Sequence, residues 1–97
     1  MDRKRKPTKE LLVLADNEDL CLMVRLYRDT PHHSAFLKLL FNMPIEVWTE
    51  NNLKADDILR EFEREEEDKL LDMYEKSGDF KQHPLITLIQ YKRKKAP

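Results

Sequence analysis

Three histidines are the residues of this sequence best suited to bind a metal ion or to transfer protons. His32 and His33 are adjacent, so on a helix their side chains would point about 100° apart and would chelate one ion poorly. His83 lies far along the chain, and with Asp29 or Glu46 the three histidines could in principle form a site. The sequence lacks the HExxH spacing of a helical zinc site. It therefore predicts no metal site.

The single cysteine and the single glycine exclude further kinds of chemistry. Cys21 lies inside an apolar run, where a thiol is normally an inert core residue rather than a nucleophile that a histidine activates. One cysteine forms no intramolecular disulfide and no cysteine-based zinc site. A chain with one glycine has no glycine-rich loop to hold a phosphate. We therefore predict that the protein needs no cofactor and is not an enzyme.

The length and charge of the chain predict one small domain with basic ends. The 97 residues suit a single domain over 1–97, and 38% of them are charged, against about 25% in a typical globular domain. The first ten residues carry five basic and two acidic side chains, and the last seven carry four basic ones. Because the net charge is −1, residues 11–90 carry −8. An acidic body is thus expected between short basic tails at 1–7 and 92–97.

The sequence also suggests where the protein resides. No apolar run approaches the roughly 18 residues that a membrane span needs. The first residues, MDRKRKPTKE, are basic but lack the apolar region of a secretory signal. A single cysteine suits a reducing compartment. We expect a cytoplasmic protein, or a nuclear one if the source is eukaryotic.

The apolar pattern predicts an all-α fold, a small bundle of about five helices with one long charged helix. One glycine is too few for a fold built on tight β-turns. The predicted starts are Lys9 after a Thr8 cap, a second helix capped by Asn17, a third at Pro31, a fourth at Pro44 and the last at Pro84. The alternative is an α+β fold in which residues 11–27 form a β-hairpin around the polar turn DNED. Leucine and methionine are weak strand formers, which favours the helices.

The long charged helix is predicted over about 53–76, with Gly78 as its C-terminal stop. Residues 60–69 within it read REFEREEEDK. Acidic and basic side chains recur there at spacings of three and four residues, and each such pair stabilises a helix by only a few tenths of a kcal/mol. Because no apolar residue lies between Phe62 and Leu70, we expect these turns to be exposed to solvent.

Two sets of residues are candidates for contact with another protein or with a second copy of the chain. The apolar set takes three residues from the apolar-rich stretch 20–41 and adds the single tryptophan. It consists of Phe36, Leu40, Phe41 and Trp48. The tryptophan is either a core anchor or an interface hot spot. The acidic set would form a docking surface for a basic partner: Glu65, Glu66 and Glu67. The rival interpretation of the acidic set is the solvated side of a helix.

The basic ends are candidates for contact with nucleic acid. Basic clusters bind phosphates without reading the base sequence, and an acidic body would repel a duplex over most of its surface. No predicted helix has the polar face of a recognition helix. The candidate residues are Arg3, Lys4, Arg5, Lys6, Lys92, Arg93, Lys94 and Lys95.

Two functions remain compatible with the sequence. The first is a helical interaction module that regulates, inhibits or adapts another protein, with homodimerisation as an option. Small regulators of phages, plasmids and viruses have this general character, and the comparison with them is an analogy. The second is a nucleic-acid-binding regulator that uses the basic ends.

Overall fold

The residues that the structure describes fold into helices and contain no strand. A computed structural model describes residues 6–78 and 83–95. Its helices are α1 (Lys9–Leu14), α2 (Asn17–Leu26), α3 (His33–Phe41), α4 (Ile45–Glu50), α5 (Ala55–Arg60), α6 (Arg64–Ser77) and α7 (Pro84–Lys95). The all-α prediction is confirmed. The alternative hairpin over 11–27 is wrong, because these residues form most of α1 and all of α2.

Side-chain caps start the first two helices. Thr8 accepts a hydrogen bond from a first-turn backbone N–H at 3.1 Å, as predicted. The cap of α2 is Asp16, one residue before the predicted Asn17. Asp16 accepts from the backbone N–H of Asp19 at 2.8 Å, and Asp19 accepts from that of Asp16 at 3.2 Å. Asn17 instead accepts from the backbone N–H of Lys54 at 2.8 Å and so fixes the start of α5.

The third and fourth helices start slightly later than predicted. A turn precedes α3, in which the Thr30 hydroxyl donates to the backbone carbonyl of Tyr27 at 2.8 Å. The same hydroxyl accepts a hydrogen bond from the backbone N–H of His32 at 3.3 Å, and α3 begins at the next residue, His33. Pro44 has an extended backbone and is the residue before α4 rather than its first residue.

The predicted long helix is divided into α5 and α6 at residues 61–63. The Arg28 guanidinium, on the turn after α2, donates to the backbone carbonyl of Glu61 and thereby satisfies the end of α5. The Glu66 carboxylate accepts from the backbone N–H of Glu63, the residue before α6, at 2.9 Å and so helps to start that helix. A continuous helix is therefore wrong, since tertiary hydrogen bonds from Arg28 outweigh local ion pairs. Gly78 ends α6 with φ +66°, as predicted for a left-handed stop.

All seven of these helices contribute to one hydrophobic core. Packing brings α5 against α2 and α7, α6 against α3 and α7, and α1 against α3. Tyr27 and Phe36 stack at its centre, with ring centroids 5.2 Å apart. The radius of gyration, 12.8 Å, is close to the roughly 13 Å of a compact chain of this length. Within the part of the chain that the structure describes, no helix combines the length and apolar character needed to cross a bilayer.

Replacing Leu40 by Ala tests the core. Leu40 is fully buried in α3, so the substitution should lower the free energy of unfolding by about 2–5 kcal/mol. The matched control is Leu14→Ala, because Leu14 is 83% exposed and should change stability by less than about 0.5 kcal/mol. Urea unfolding followed by circular dichroism measures both. Equal losses in the two variants would contradict this core.

Candidate functional site

An open apolar groove runs along one face of α7. It has a volume of about 400 Å³. Its walls come from the start of α4, the start of α5 and one side of α7, and we call it the α7 groove. Its main lining residues are Ile45, Ala55, Pro84, Thr87, Leu88 and Tyr91. A groove of this size admits one or two large side chains of a partner.

Two large apolar side chains on this groove face solvent. Ile45 is 52% exposed and Tyr91 is 55% exposed. Sequence reasoning missed both as surface residues, because it counted them among the apolar residues of helices. The signal was present: Tyr91 and the buried Ile86 are five residues apart, which places them about 140° apart around α7. One face of α7 therefore packs in the core while the other carries Tyr91 into the groove.

The basic cluster at 92–95 is the last turn of α7 rather than a tail. Its four side chains divide into two pairs with different contacts. Lys92 contacts Glu67 at 3.3 Å, and Arg93 contacts Glu67 at 3.3 Å and Asp68 at 2.6 Å. Hydrogen bonding to Asp68 is the main reason that the pKa of Arg93 is raised. These two cations thus tie α7 to the start of α6.

The other two lysines of the cluster lie on the groove side of α7. Lys94 is exposed, and the Nζ of Lys95 lies 4.8 Å from the centre of the Tyr91 ring, a cation–π contact. They follow Tyr91 by three and four residues, the spacing of helical neighbours. Positive charge therefore lies next to the Tyr91 end of the groove, whose own lining includes one carboxylate, that of Asp56.

Glu66 forms a buried charged centre at the junction of four segments. Only 3% of Glu66 is exposed. Its Oε1 atom accepts from Arg28 Nη2 at 2.8 Å and from the backbone N–H of Glu63 at 2.9 Å. Its Oε2 atom lies 2.7 Å from Nε2 of His33 on α3. Burial raises the pKa of Glu66, but the hydrogen bonds from Glu63, Arg28 and His33 together outweigh burial, so the pKa is lowered.

The contacts of Glu66 hold neighbouring segments of the fold in position. A histidine–carboxylate pair activates a hydroxyl or thiol in hydrolytic sites. A polar cavity of about 220 Å³ adjoins His33 and Glu66, but none of the residues that line it carries a hydroxyl or a thiol. Cys21 lies elsewhere, beside α5, and burial together with Glu61 and Asp57 raises its pKa and disfavours the thiolate. In the ranges 6–78 and 83–95, no three His, Cys, Asp or Glu side chains come together as metal ligands.

His83 lines the α7 groove and is itself buried. Its Nδ1 atom accepts from the backbone N–H of Leu85 at 3.1 Å, so the ring is neutral and caps the first turn of α7. The ring stacks on Phe41 at 5.1 Å and meets the Trp48 ring edge-on at 6.0 Å. Burial lowers its pKa, although the nearby carbonyls of Phe41 and Leu40 oppose this.

The apolar partner-binding candidates from the sequence lie mostly in the core. Phe36, Leu40 and Trp48 are buried, and Phe41 is half-buried against His83. As placed here, the three buried side chains are not available to a partner. The fold uses them internally because a chain of this size needs its largest apolar residues to form one core.

The three acidic candidates point in different directions. Glu65 is exposed, Glu66 is bound to Arg28 and His33, and Glu67, 7% exposed, is bound to α7. The expectation that the turns between Phe62 and Leu70 are exposed all round is therefore wrong, since ion pairs bury one side of them.

The candidates for contact with nucleic acid are also divided. Arg3, Lys4 and Arg5 lie outside the described residues, and Lys6 is exposed. Lys92 and Arg93 are ion-paired, whereas Lys94 and Lys95 are exposed beside Tyr91. The structure thus gathers only part of this set, on the last turn of α7.

Replacing Glu66 by Gln tests the buried charged centre. The substitution removes the negative charge that pairs with Arg28, so we expect a loss of about 3 kcal/mol in the free energy of unfolding. Glu65→Gln, one residue away and exposed, is the control and should cost less than about 0.5 kcal/mol. Because the folded-state pKa of Glu66 lies below its ordinary 4.5, its charge stabilises the fold above that pH. The difference between wild type and E66Q should therefore shrink as pH falls below 4.5; a difference independent of pH would contradict this role.

Replacing His83 by Asn tests the neutral cap. Since the folded-state pKa of His83 lies below its ordinary 6.5, the unfolded chain binds more protons below that pH. Wild-type stability should then fall with decreasing pH below 6.5, with a contribution from His83 of up to about 1.4 kcal/mol per pH unit. Asn can cap the same turn without titrating. Denaturant unfolding from pH 5 to 8 should show a smaller slope for H83N, and equal slopes would contradict the assignment.

Three features of the described residues bear on function: the α7 groove, its basic end and the buried Glu66. His83 caps α7, which forms one side of the groove, whereas Glu66 joins the turn after α2, the start of α3 and the start of α6. The groove carries two of the exposed large apolar side chains of the described residues, Ile45 and Tyr91. Comparison with protein-family models, curated proteins and solved structures finds no significant match to this chain.

Proposed function

We propose that this protein is a small helical interaction module that regulates, inhibits or adapts another protein, which it binds through the α7 groove. The observation that carries the proposal is the exposure of Ile45 and Tyr91 beside an apolar groove. Exposed aromatic residues at a concave site are typical hot spots of protein interfaces. Full burial of a side chain of this size by a partner is worth about 1.5–3 kcal/mol.

The supports behind the groove favour a preformed surface. Leu85 and Ile89 anchor α7 in the core, and Ile58 anchors α5. The His83 cap holds the start of α7, while Glu67 holds its last turn through Lys92 and Arg93. A rigid surface loses little conformational entropy when a partner binds.

Nucleic-acid binding stays the alternative prediction, and the ion pairs weigh against it. Lys92 and Arg93 already neutralise Glu67 and Asp68, so they have less charge to offer to phosphates. Lys94 and Lys95 remain exposed, but they stand beside the apolar groove. An apolar surface with few free cations suits a protein partner better than a phosphate backbone.

Site-specific photo-crosslinking in the host cell tests the proposed function. Ile45 and Tyr91 are each replaced by photoreactive p-benzoyl-phenylalanine, with exposed Glu75 on α6 as the control position. We expect both groove positions to crosslink the same protein and the control position not to do so. Tyr91→Ala in the chain that carries the crosslinker at Ile45 should reduce the product, because it removes a groove contact.

Mass spectrometry identifies the crosslinked product. If neither groove position yields a product, or if Glu75 yields the same products, the groove is not a binding surface for another protein.

A further inference from the structure

We infer that the segment bound in the α7 groove is an amphipathic helix with carboxylates beside its apolar stripe, at the end that meets Lys94 and Lys95. This inference rests on the proposed function and names the chemistry of the partner at the same site. Three observations support it: the positions of the basic side chains, the spacing of the groove residues on α7, and the single acidic residue in the lining.

The first observation is that, within the ranges 6–78 and 83–95, carboxylates pair with only two of the four basic side chains in the last turn of α7. Lys92 and Arg93 contact carboxylates of α6. Among the described residues, no carboxylate forms an ion pair with Lys94 or Lys95. Positive charge is therefore concentrated at the Tyr91 end of the groove. A partner with carboxylates there gains attraction, and one with cations meets repulsion.

The second observation is that α7 presents a helical stripe to the groove. Pro84, Thr87, Leu88 and Tyr91 follow one another at the spacing i, i+3, i+4 and i+7. The stripe is about 10 Å long, or two helical turns. A partner helix that lies along it presents anchors with the same repeat, which is the helix-in-groove mode of recognition.

The third observation is the single carboxylate among the residues that line the groove. Asp56 of α5 lies in the wall of the groove and is exposed. A carboxylate of the partner beside Asp56 would be repelled, whereas one beside Lys94 or Lys95 would be attracted. The acidic residues of the partner therefore belong at the end of its apolar stripe and not along the whole of its length.

Labelled model peptides test this inference on the purified full chain. The acidic probe is an amphipathic peptide of about five helical turns, with an apolar stripe and glutamates at one end. The second probe has lysines in place of the glutamates, and the third has serines in place of the apolar stripe. Fluorescence anisotropy at low and high salt measures binding. We expect the acidic amphipathic probe to bind tightest and to weaken with salt.

Charge-reversed variants locate the contact. Lys94→Glu with Lys95→Glu should weaken the acidic probe by about tenfold, the effect of losing two surface ion pairs and gaining repulsion. Lys9→Glu with Lys38→Glu makes the same change in net charge at exposed positions on α1 and α3, outside the groove. This matched control should bind within about twofold of wild type. Tyr91→Ala should weaken every probe that has an apolar stripe, with folding checked by circular dichroism.

The outcomes separate this inference from the proposed function. If the lysine probe binds as tightly as the acidic one, or if the control variant weakens binding equally, the inference of an acidic partner helix is wrong. Crosslinking from Tyr91 then still tests whether the groove binds a protein. If no probe binds although groove crosslinks form, the partner is not an amphipathic helix. A concentration-dependent dimer in sedimentation that Tyr91→Ala abolishes would assign the groove to a second copy of the chain and overturn the inference.

Discussion

The buried carboxylate of Glu66 is the constraint on which the arrangement of the helices depends. Glu66 is only 3% exposed, and a buried carboxylate stays charged only where it accepts hydrogen bonds and pairs with an opposite charge. Arg28, His33 and the backbone of Glu63 provide them, so the turn after α2, the start of α3 and the start of α6 must meet at one point. Arg28 also binds the carbonyl that ends α5. The break between α5 and α6 follows, and it lets α5 lie against α7 to form the groove.

This constraint also explains which parts of the fold were accessible from sequence. Thr8, Gly78 and Pro84 act through their own local chemistry, and their roles as cap, stop and helix start were predicted correctly. The break at 61–63 was missed because its cause, Arg28, lies more than thirty residues earlier in the chain. Local pattern in REFEREEEDK favours a continuous helix, and only tertiary contact with Arg28 reverses that preference.

The candidate site was less accessible than the fold. Phe36, Leu40 and Trp48 are strong apolar residues, and sequence alone could not decide between core and surface for them; the fold uses them inside. Ile45 and Tyr91 look like ordinary helix residues. Tyr91 is exposed because Leu85, Ile86 and Ile89 already supply the core face of α7, and Ile45 is exposed on α4, where Trp48 supplies the buried side chain. Which apolar residues are left over is a property of the whole packing, so it emerges only with the structure.

The two charge runs show why composition alone does not define a binding patch. Consecutive residues of a helix point about 100° apart, so a run of like charges spreads around the axis. Glu65 faces solvent, Glu66 faces α3 and the turn after α2, and Glu67 faces α7. The basic run that begins at Lys92 is divided in the same way, between α6 and the groove. Two members of the acidic run, Glu66 and Glu67, therefore act within the fold, and of the basic run Lys92 and Arg93 are ion-paired while Lys94 and Lys95 are exposed.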